Sequence, residues 1–295
     1  MTAPPSPKAG RLQRSRLRLF APALLALAAL PLCALLAVRL SVPAVAALRT
    51  ATPERTSYME LRAETAKVVP LRLDQVSPLL GCAVVKAEDR GFFLHGGLLT
   101  KSFVEAAAAI LRGARAAGGS TLTQQLARNL YLSPERSLWR KLREALIARA
   151  LEKELGKPRI LELYLDSVEW GDGVWGAGPA AERWFHKPAA ELDAFEASFL
   201  ASLLAAPREP LTGQNARRAA AVQRRVLIQL YQSGLVARDE LERAAARADA
   251  LASGVPLAAL AAQPGAATPA AAWPAWLASG CGLSRELQAV GRSEP

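Results

Sequence analysis

The sequence is poor in the residues that hold metals. Its 295 residues include two histidines, His95 and His186, and three cysteines, with no Cys-x-x-Cys pair. A protein-ligated zinc site needs several converging nitrogen or sulfur donors, so none is expected. Cys33 lies in an apolar N-terminal run, and Cys82 and Cys281 are so far apart that no disulfide is expected between them. No convincing strand run and no internal repeat is found, which leaves a mainly helical reading. Charged residues make up 21% and the hydrophobic set 51%, a balance that excludes both a disordered chain and a many-spanning membrane protein.

What is present in excess is positive charge. The formal net charge is +11, from 37 basic and 26 acidic residues. Lys8, Arg11, Arg14, Arg16 and Arg18 precede an uncharged run from Leu19 to Val38. A helix of that length spans roughly 30 Å, the thickness of a bilayer core. The preceding cations predict a cytoplasmic N-terminus with the rest of the chain outside. Pro22 and Pro31 kink such a span without forbidding it. The small residues Ala44 to Ala47 leave a cleaved signal peptide as the alternative, but the run is longer than a usual signal core, which favours an uncleaved anchor. A domain beyond the membrane uses surplus positive charge for anionic lipid or phosphorylated ligands, and no nucleic-acid partner is expected.

The chain divides into a basic arm (1–18), a transmembrane anchor (19–39), a tether and membrane-proximal segment (40–70), a helical domain (71–245) and an Ala/Pro/Gly-rich tail (246–295) expected to be loosely ordered, with Trp273 and Trp276 as pins. The pattern predicts helices over Val76–Phe93 and Phe103–Arg115. A further helix should begin near Thr121, where Thr121-Leu-Thr-Gln124 fits a capping box. Others are expected over Leu138–Leu155, closed by Gly156 and Pro158, then Leu192–Ala206 and Asn215–Gln232, with a glycine-rich loop from Trp170 to Gly178.

Three segments carry chemistry. In Glu88-Asp89-Arg-Gly-Phe92-Phe-Leu-His95, a continuing helix would put Glu88, Phe92 and His95 on one face. Phe92 would then thin the water around Glu88 and raise its pKa, as suits a general base. A solvated acidic turn fits the same octapeptide. Gly118 to Asn129 presents Ser120, Thr121, Gln124, Gln125, Arg128 and Asn129 near a helix start, where free N–H groups favour anions; a capped polar surface helix fits it as well. Arg140, Lys141 and Glu144 cluster on one helical face, as they also would in an ordinary salt-bridge ladder.

Together, in this order, the segments resemble the motifs of the peptidoglycan glycosyltransferases, glycosyltransferase family 51, over about residues 56–232. Glu88, Asp89, Phe92, His95 and Gly97 match the first motif; Gly118 to Asn129 the second, with Arg128 in place of Lys; Arg140, Lys141 and Glu144 the third. Arg159 to Leu165 and the loop from Ser167 to Gly176 match the fourth, with Asp166 in place of Asn. Leu99 stands where Asp or Asn is usual, and the late basic motif around Arg224 and Arg225 matches loosely. Lys86, two residues before Glu88, would depress that acid's pKa if it turned inward.

The resemblance implies a lysozyme-like helical domain with a small membrane-proximal subdomain behind one transmembrane helix, in the bacterial inner membrane. It implies polymerisation of lipid II into a β-1,4-linked glycan strand, with the bilayer, the growing strand and other wall-synthesis proteins as partners. Glu88 would be the general base. Glu144 would order the basic cluster or hold a divalent cation, Mg2+ or Mn2+, against the substrate pyrophosphate; no organic cofactor is implied. Asp89, Phe92, His95, Ser120, Thr121, Gln124, Gln125, Arg128, Asn129, Arg140 and Lys141 would bind substrate. A glycan-cleaving enzyme on a related fold and a degenerate glycan-binding scaffold are the alternatives. The peptide-crosslinking partner domain is not expected, since no Ser-x-x-Lys or Lys-Thr-Gly occurs.

Overall fold

A computed structural model describes residues 39–62, 64–114, 119–135, 137–263, 265, 273–279 and 281–282, with positions 29, 33, 36 and 37 before them. Residues 43–295 form one compact unit and residues 1–42 another. The described positions 29, 33, 36, 37, 39 and 40 are helical. The expected anchor over 19–38 lies almost wholly outside the described residues, among which no helix is long and apolar enough to cross a membrane.

The compact unit is mainly helical. Its centre is α7 (Ala194–Leu203), in which every residue is buried. A helix buried on all sides needs partners all round, and α2 (Pro78–Glu88), α8 (Gly213–Gln232) and α9 (Arg238–Ala252) supply them. Asp193 caps α7: its carboxylate accepts from Glu196 N–H at 2.9 Å, and the Glu196 carboxylate accepts from Asp193 N–H at 2.9 Å. Helix α2 is buried from Pro78 through Lys86 and starts with proline at its first position, where a missing N–H costs nothing.

A second layer is built from α4 (Leu122–Tyr131) packed on α5 (Leu138–Ser167), with α3 (Thr100–Leu111) beside it. Thr121 and Gln124 form the capping box that their spacing foretells, with reciprocal bonds of 3.1 Å. Gly156, at φ 72° and ψ 164°, interrupts α5 where the sequence places a helix end, and a second helical stretch follows it through Pro158 to Ser167. The short helices α1 (Ser57–Leu61) and α6 (Ala177–Phe185) flank the glycine-rich loop. That loop is a small antiparallel hairpin, β1 (Glu169–Gly171) with β2 (Val174–Trp175), where no strand is expected from sequence. Its turn requires positive φ at Gly173, and Trp170 is buried beneath it.

Several expectations need correction. Helix α2 ends at Glu88, not near Phe93, because the chain turns sharply at Asp89 (φ −155°, ψ 76°). The described part of the tail is also tied down, by a disulfide not expected from sequence and by the expected pin Trp273. Cys82 and Cys281 form a disulfide across 199 residues, with Cα atoms 5.5 Å apart. Trp273 in α11 (Trp273–Ala278) donates from Nε1 to the Val76 carbonyl at 2.8 Å, and its ring fills the space where a side chain on Gly81 would stand. Helix α9 runs across the boundary expected at 245, and the short α10 (Leu257–Ala261) follows it.

Candidate active site

Glu88 is the last residue of α2, so a rigid buried helix delivers a carboxylate to a surface cleft. Gln125 Nε2 on α4 donates to Glu88 Oε2 at 2.8 Å. Burial raises the Glu88 pKa above the usual glutamate value. The Gln125 bond and the charges of Arg128 and Arg225 oppose that rise, and Asp89 adds to it. Lys86 is buried and lines the cleft beside Glu88, and Arg128 and Arg225, from other helices, are among the cations that favour the ionised carboxylate. Phe92 is fully buried, under the Lys157 ammonium at 4.4 Å from its ring centroid, and no longer shares a helix with Glu88. The water around Glu88 is thinned by tertiary packing rather than by helical spacing.

Asp89 and His95 lock the first motif to the second. His95 Nδ1 accepts from the Gly97 N–H at 3.1 Å, so its proton lies on Nε2, 2.9 Å from Asp89 Oδ1. Asp89 Oδ2 accepts from Leu122 N–H at 3.0 Å, at the start of α4, and Thr121 Oγ1 donates to the Gly97 carbonyl at 2.7 Å. The network sets the direction of α4, and with it the reach of Gln125 and Arg128 toward Glu88. Gln124 and Asn129 are buried in the same helix.

The third motif holds its charges by burial. Glu144 is completely buried; Arg140 Nη1 donates to its Oε2 at 2.7 Å, and the Lys141 ammonium to its Oε1. Lys141 also donates to Ser120 Oγ at 3.0 Å, joining α5 to the loop before α4. The Nε groups of Arg128 and Arg140 are buried with no partner among the described residues.

Two clefts meet at Glu88. One, of about 470 Å³, is lined by Lys86, Asp89, Arg90, Leu99, Thr121 and Gln229. The other, of about 590 Å³, is lined by Gln125, Arg128, Arg140, Lys141, Glu144 and apolar residues of α3 and the end of α7. Glu88, Ser120 and Arg225 border both. The expected site residues Glu88, Ser120, Gln125, Arg128, Arg140, Lys141 and Glu144 are therefore brought together. Asp89 and Thr121 border the first cleft with their polar atoms engaged, while Phe92, His95, Gln124 and Asn129 stand behind the walls. Arg225 is the residue that sequence reasoning underweighted; its doublet with Arg224 was the available signal. Tyr164, which donates to Gln125 Oε1 at 2.9 Å, reads in sequence only as part of an apolar stripe.

Among the described residues the donor set offers no all-protein cage for a metal ion. Both Glu144 oxygens already accept from cations, and no group of three or more His, Cys, Asp or Glu converges among the described residues. Mg2+ is commonly bound through one or two carboxylates together with substrate phosphates and water rather than by such a cage. The arrangement suits oxyanions: cations with buried, unspent N–H groups on Arg128 and Arg140 beside the Glu88 carboxylate, whose ionised form burial disfavours.

A family model described as Transglycosylase matches residues 54–231. The chain belongs to the transglycosylase family. All the residues of the two clefts named above fall inside the matched span, whereas Trp273 and Cys281 lie beyond it. Among the transglycosylases it is similar to is the "Biosynthetic peptidoglycan transglycosylase" of Nitrosomonas eutropha, 42% identical over 170 residues, which cover 54% of this chain and 70% of the relative. The protein of the same name from an Azoarcus species is 44% identical over 171 residues, covering 55% and 74%. That of Laribacter hongkongensis is 41% identical over 175 residues, covering 56% and 77%.

Proposed function

We propose that this transglycosylase polymerises lipid II into β-1,4-linked glycan, with Glu88 as general base. The observation that carries the reading is the Glu88 carboxylate, its pKa raised by burial, standing where two clefts meet, one of them bearing Arg128, Arg140, Lys141 and Arg225. Ionised Glu88 takes the proton from the 4-hydroxyl of an acceptor sugar in the smaller cleft. That oxygen attacks the anomeric carbon of the donor and inverts it. The bond to the lipid pyrophosphate breaks, and its negative charge develops against the cations of the larger cleft. A pyrophosphate leaves without a strong acid, so one carboxylate suffices. A glycan-cleaving enzyme needs a proton donor and generally a second free carboxylate, and Glu144 is held by two cations.

A lysozyme-like arrangement of the helical domain fits this chemistry. So does a single N-terminal span over residues 19–38 with the domain outside the inner membrane, which keeps the enzyme where its lipid-linked donor resides. A divalent cation enters with the substrate pyrophosphate rather than as a resident of the protein. Purified full-length protein incubated with lipid II and Mg2+ is expected to yield glycan polymer, and Glu88→Gln to lower the rate by at least about 100-fold. No polymer from the intact protein sinks the polymerase reading; an unchanged rate in Glu88→Gln removes Glu88 as the base.

A further inference from the structure

The Glu88 carboxylate does not meet its hydrogen-bond donor by chance of rotamer. Gln125 Nε2 lies 2.8 Å from Glu88 Oε2 and 3.4 Å from the Ser120 carbonyl. The other end of the same amide, Oε1, accepts from the Tyr164 phenol at 2.9 Å. Tyr164 is fully buried on the second half of α5, 39 residues from Gln125, and borders neither cleft. We propose that Tyr164 is a positioning residue for the general base: its phenol anchors the Gln125 amide so that an N–H donor stays on the Glu88 carboxylate. The inference rests on the assignment of Glu88 as base.

An amide held at one end by an O–H donor and at the other by a carboxylate acceptor forms a polarised chain, in which each bond strengthens the next. A carboxylate in a desolvated position is stabilised in its ionised form by each such donor. Burial keeps the Tyr164 phenol protonated, pushing its pKa well above 10, and the charge of Glu88 pushes it the same way. The anchor is therefore a donor throughout the pH range of catalysis. Among the other groups acting on this pair are Arg128 from α4, which favours both ionised forms, and Asp89 beside Glu88, which opposes them; Arg225 from α8 also favours ionised Glu88, and Lys86 and Arg90 line the cleft next to it. Without the phenol the amide oxygen is left buried without its donor, and the amide is free to rotate off the carboxylate.

The test titrates a 13C-labelled Glu88 carboxyl by NMR in the full-length protein, alongside the pH profile of kcat on lipid II. Tyr164→Phe keeps the ring and is expected to move both the carboxyl midpoint and the acid limb of kcat upward by about one pH unit. KM should stay within about twofold, since Tyr164 borders neither cleft. In a Gln125→Ala background the same substitution is expected to add nothing, because the link it acts through is gone. An unmoved midpoint, or an equal shift in the Gln125→Ala background, overturns the inference. A midpoint that moves while the acid limb of kcat stays in place upholds the positioning by Tyr164 and removes Glu88 as base, so the two readings fail separately. Should Tyr164→Phe not fold, Gln125→Ala alone decides: an unmoved midpoint there overturns the inference.

Discussion

Glu144 balances two cations on one buried carboxylate. Arg140 and Lys141 lie four and three residues before it, the spacing of a solvent-exposed helix ladder worth a few tenths of a kcal/mol per pair. Burial changes the magnitude. Removing one member of a buried ion cluster leaves uncompensated charge and costs roughly 3–5 kcal/mol. Glu144→Gln is expected to lose stability of that order in urea unfolding, and to lower kcat because Lys141 is then held by Ser120 alone among its described partners. Glu88 behaves oppositely. Its pKa is raised in the folded protein, so folding favours the protonated form, and the stability that this contributes is lost as pH rises through the folded pKa. Glu88→Gln should therefore melt at a higher temperature than the parent at neutral pH, while losing polymerisation. A lower melting temperature would show that the Gln125 bond and the Arg128 and Arg225 charges outweigh desolvation.

Among the elements, α5 illustrates how a local substitution acquires a pH dependence. Asp166, near its end, accepts from the Leu71 N–H at 3.1 Å through Oδ1, while Oδ2 is buried with no partner among the described residues. Glu162, one turn earlier, accepts from the Leu73 N–H at 3.1 Å. The two carboxylates clasp the segment before α2. Burial raises the Asp166 pKa from 3.8 to about 7, opposed by the Leu71 bond, with Glu162 raising it further. Between those two pH values the folded state keeps a proton that the unfolded chain has released, so stability falls as pH rises through the window and stays at the lower level above it. Asp166→Asn, which carries the neutral amide usual at this position in the family that the motifs resemble, is expected to flatten that slope. It should gain roughly 2 kcal/mol over the parent above pH 7, read from thermal unfolding between pH 5 and 9. An identical slope in both proteins would assign the pH dependence elsewhere. Helix limits were legible where they depend on neighbours in sequence, as at Thr121 and Gln124, and were missed where packing decides them, as at Asp89.

At the scale of the whole molecule, the tail closes on the helix that delivers Glu88. The Cys82–Cys281 disulfide spans 199 residues, and Trp273 packs on Gly81 one residue before Cys82. In the chain-entropy account a crosslink of that span destabilises the unfolded state by up to about 5 kcal/mol. Cys281→Ser, or reduction by dithiothreitol, is expected to lower the melting temperature by several degrees. Reductant should have no further effect on the Cys281→Ser protein. A parent melting curve indifferent to reductant would mean that Trp273 alone carries the attachment.

The sequence by itself determined the inventory and its order: which residues bear charge, where amides and hydroxyls crowd a helix start, and the succession of motifs, holding Glu88, Gln125, Arg128, Arg140, Lys141 and Glu144, that resembles one family. These are properties of residue type and short spacing. Only the tertiary structure decided that Tyr164 reaches Gln125, that Arg225 enters both clefts, that Glu144 is buried, and that Cys82 meets Cys281. Each of these depends on how separate helices pack around α7, a mainly apolar helix buried on every face whose sequence does not say which partner lies on which side.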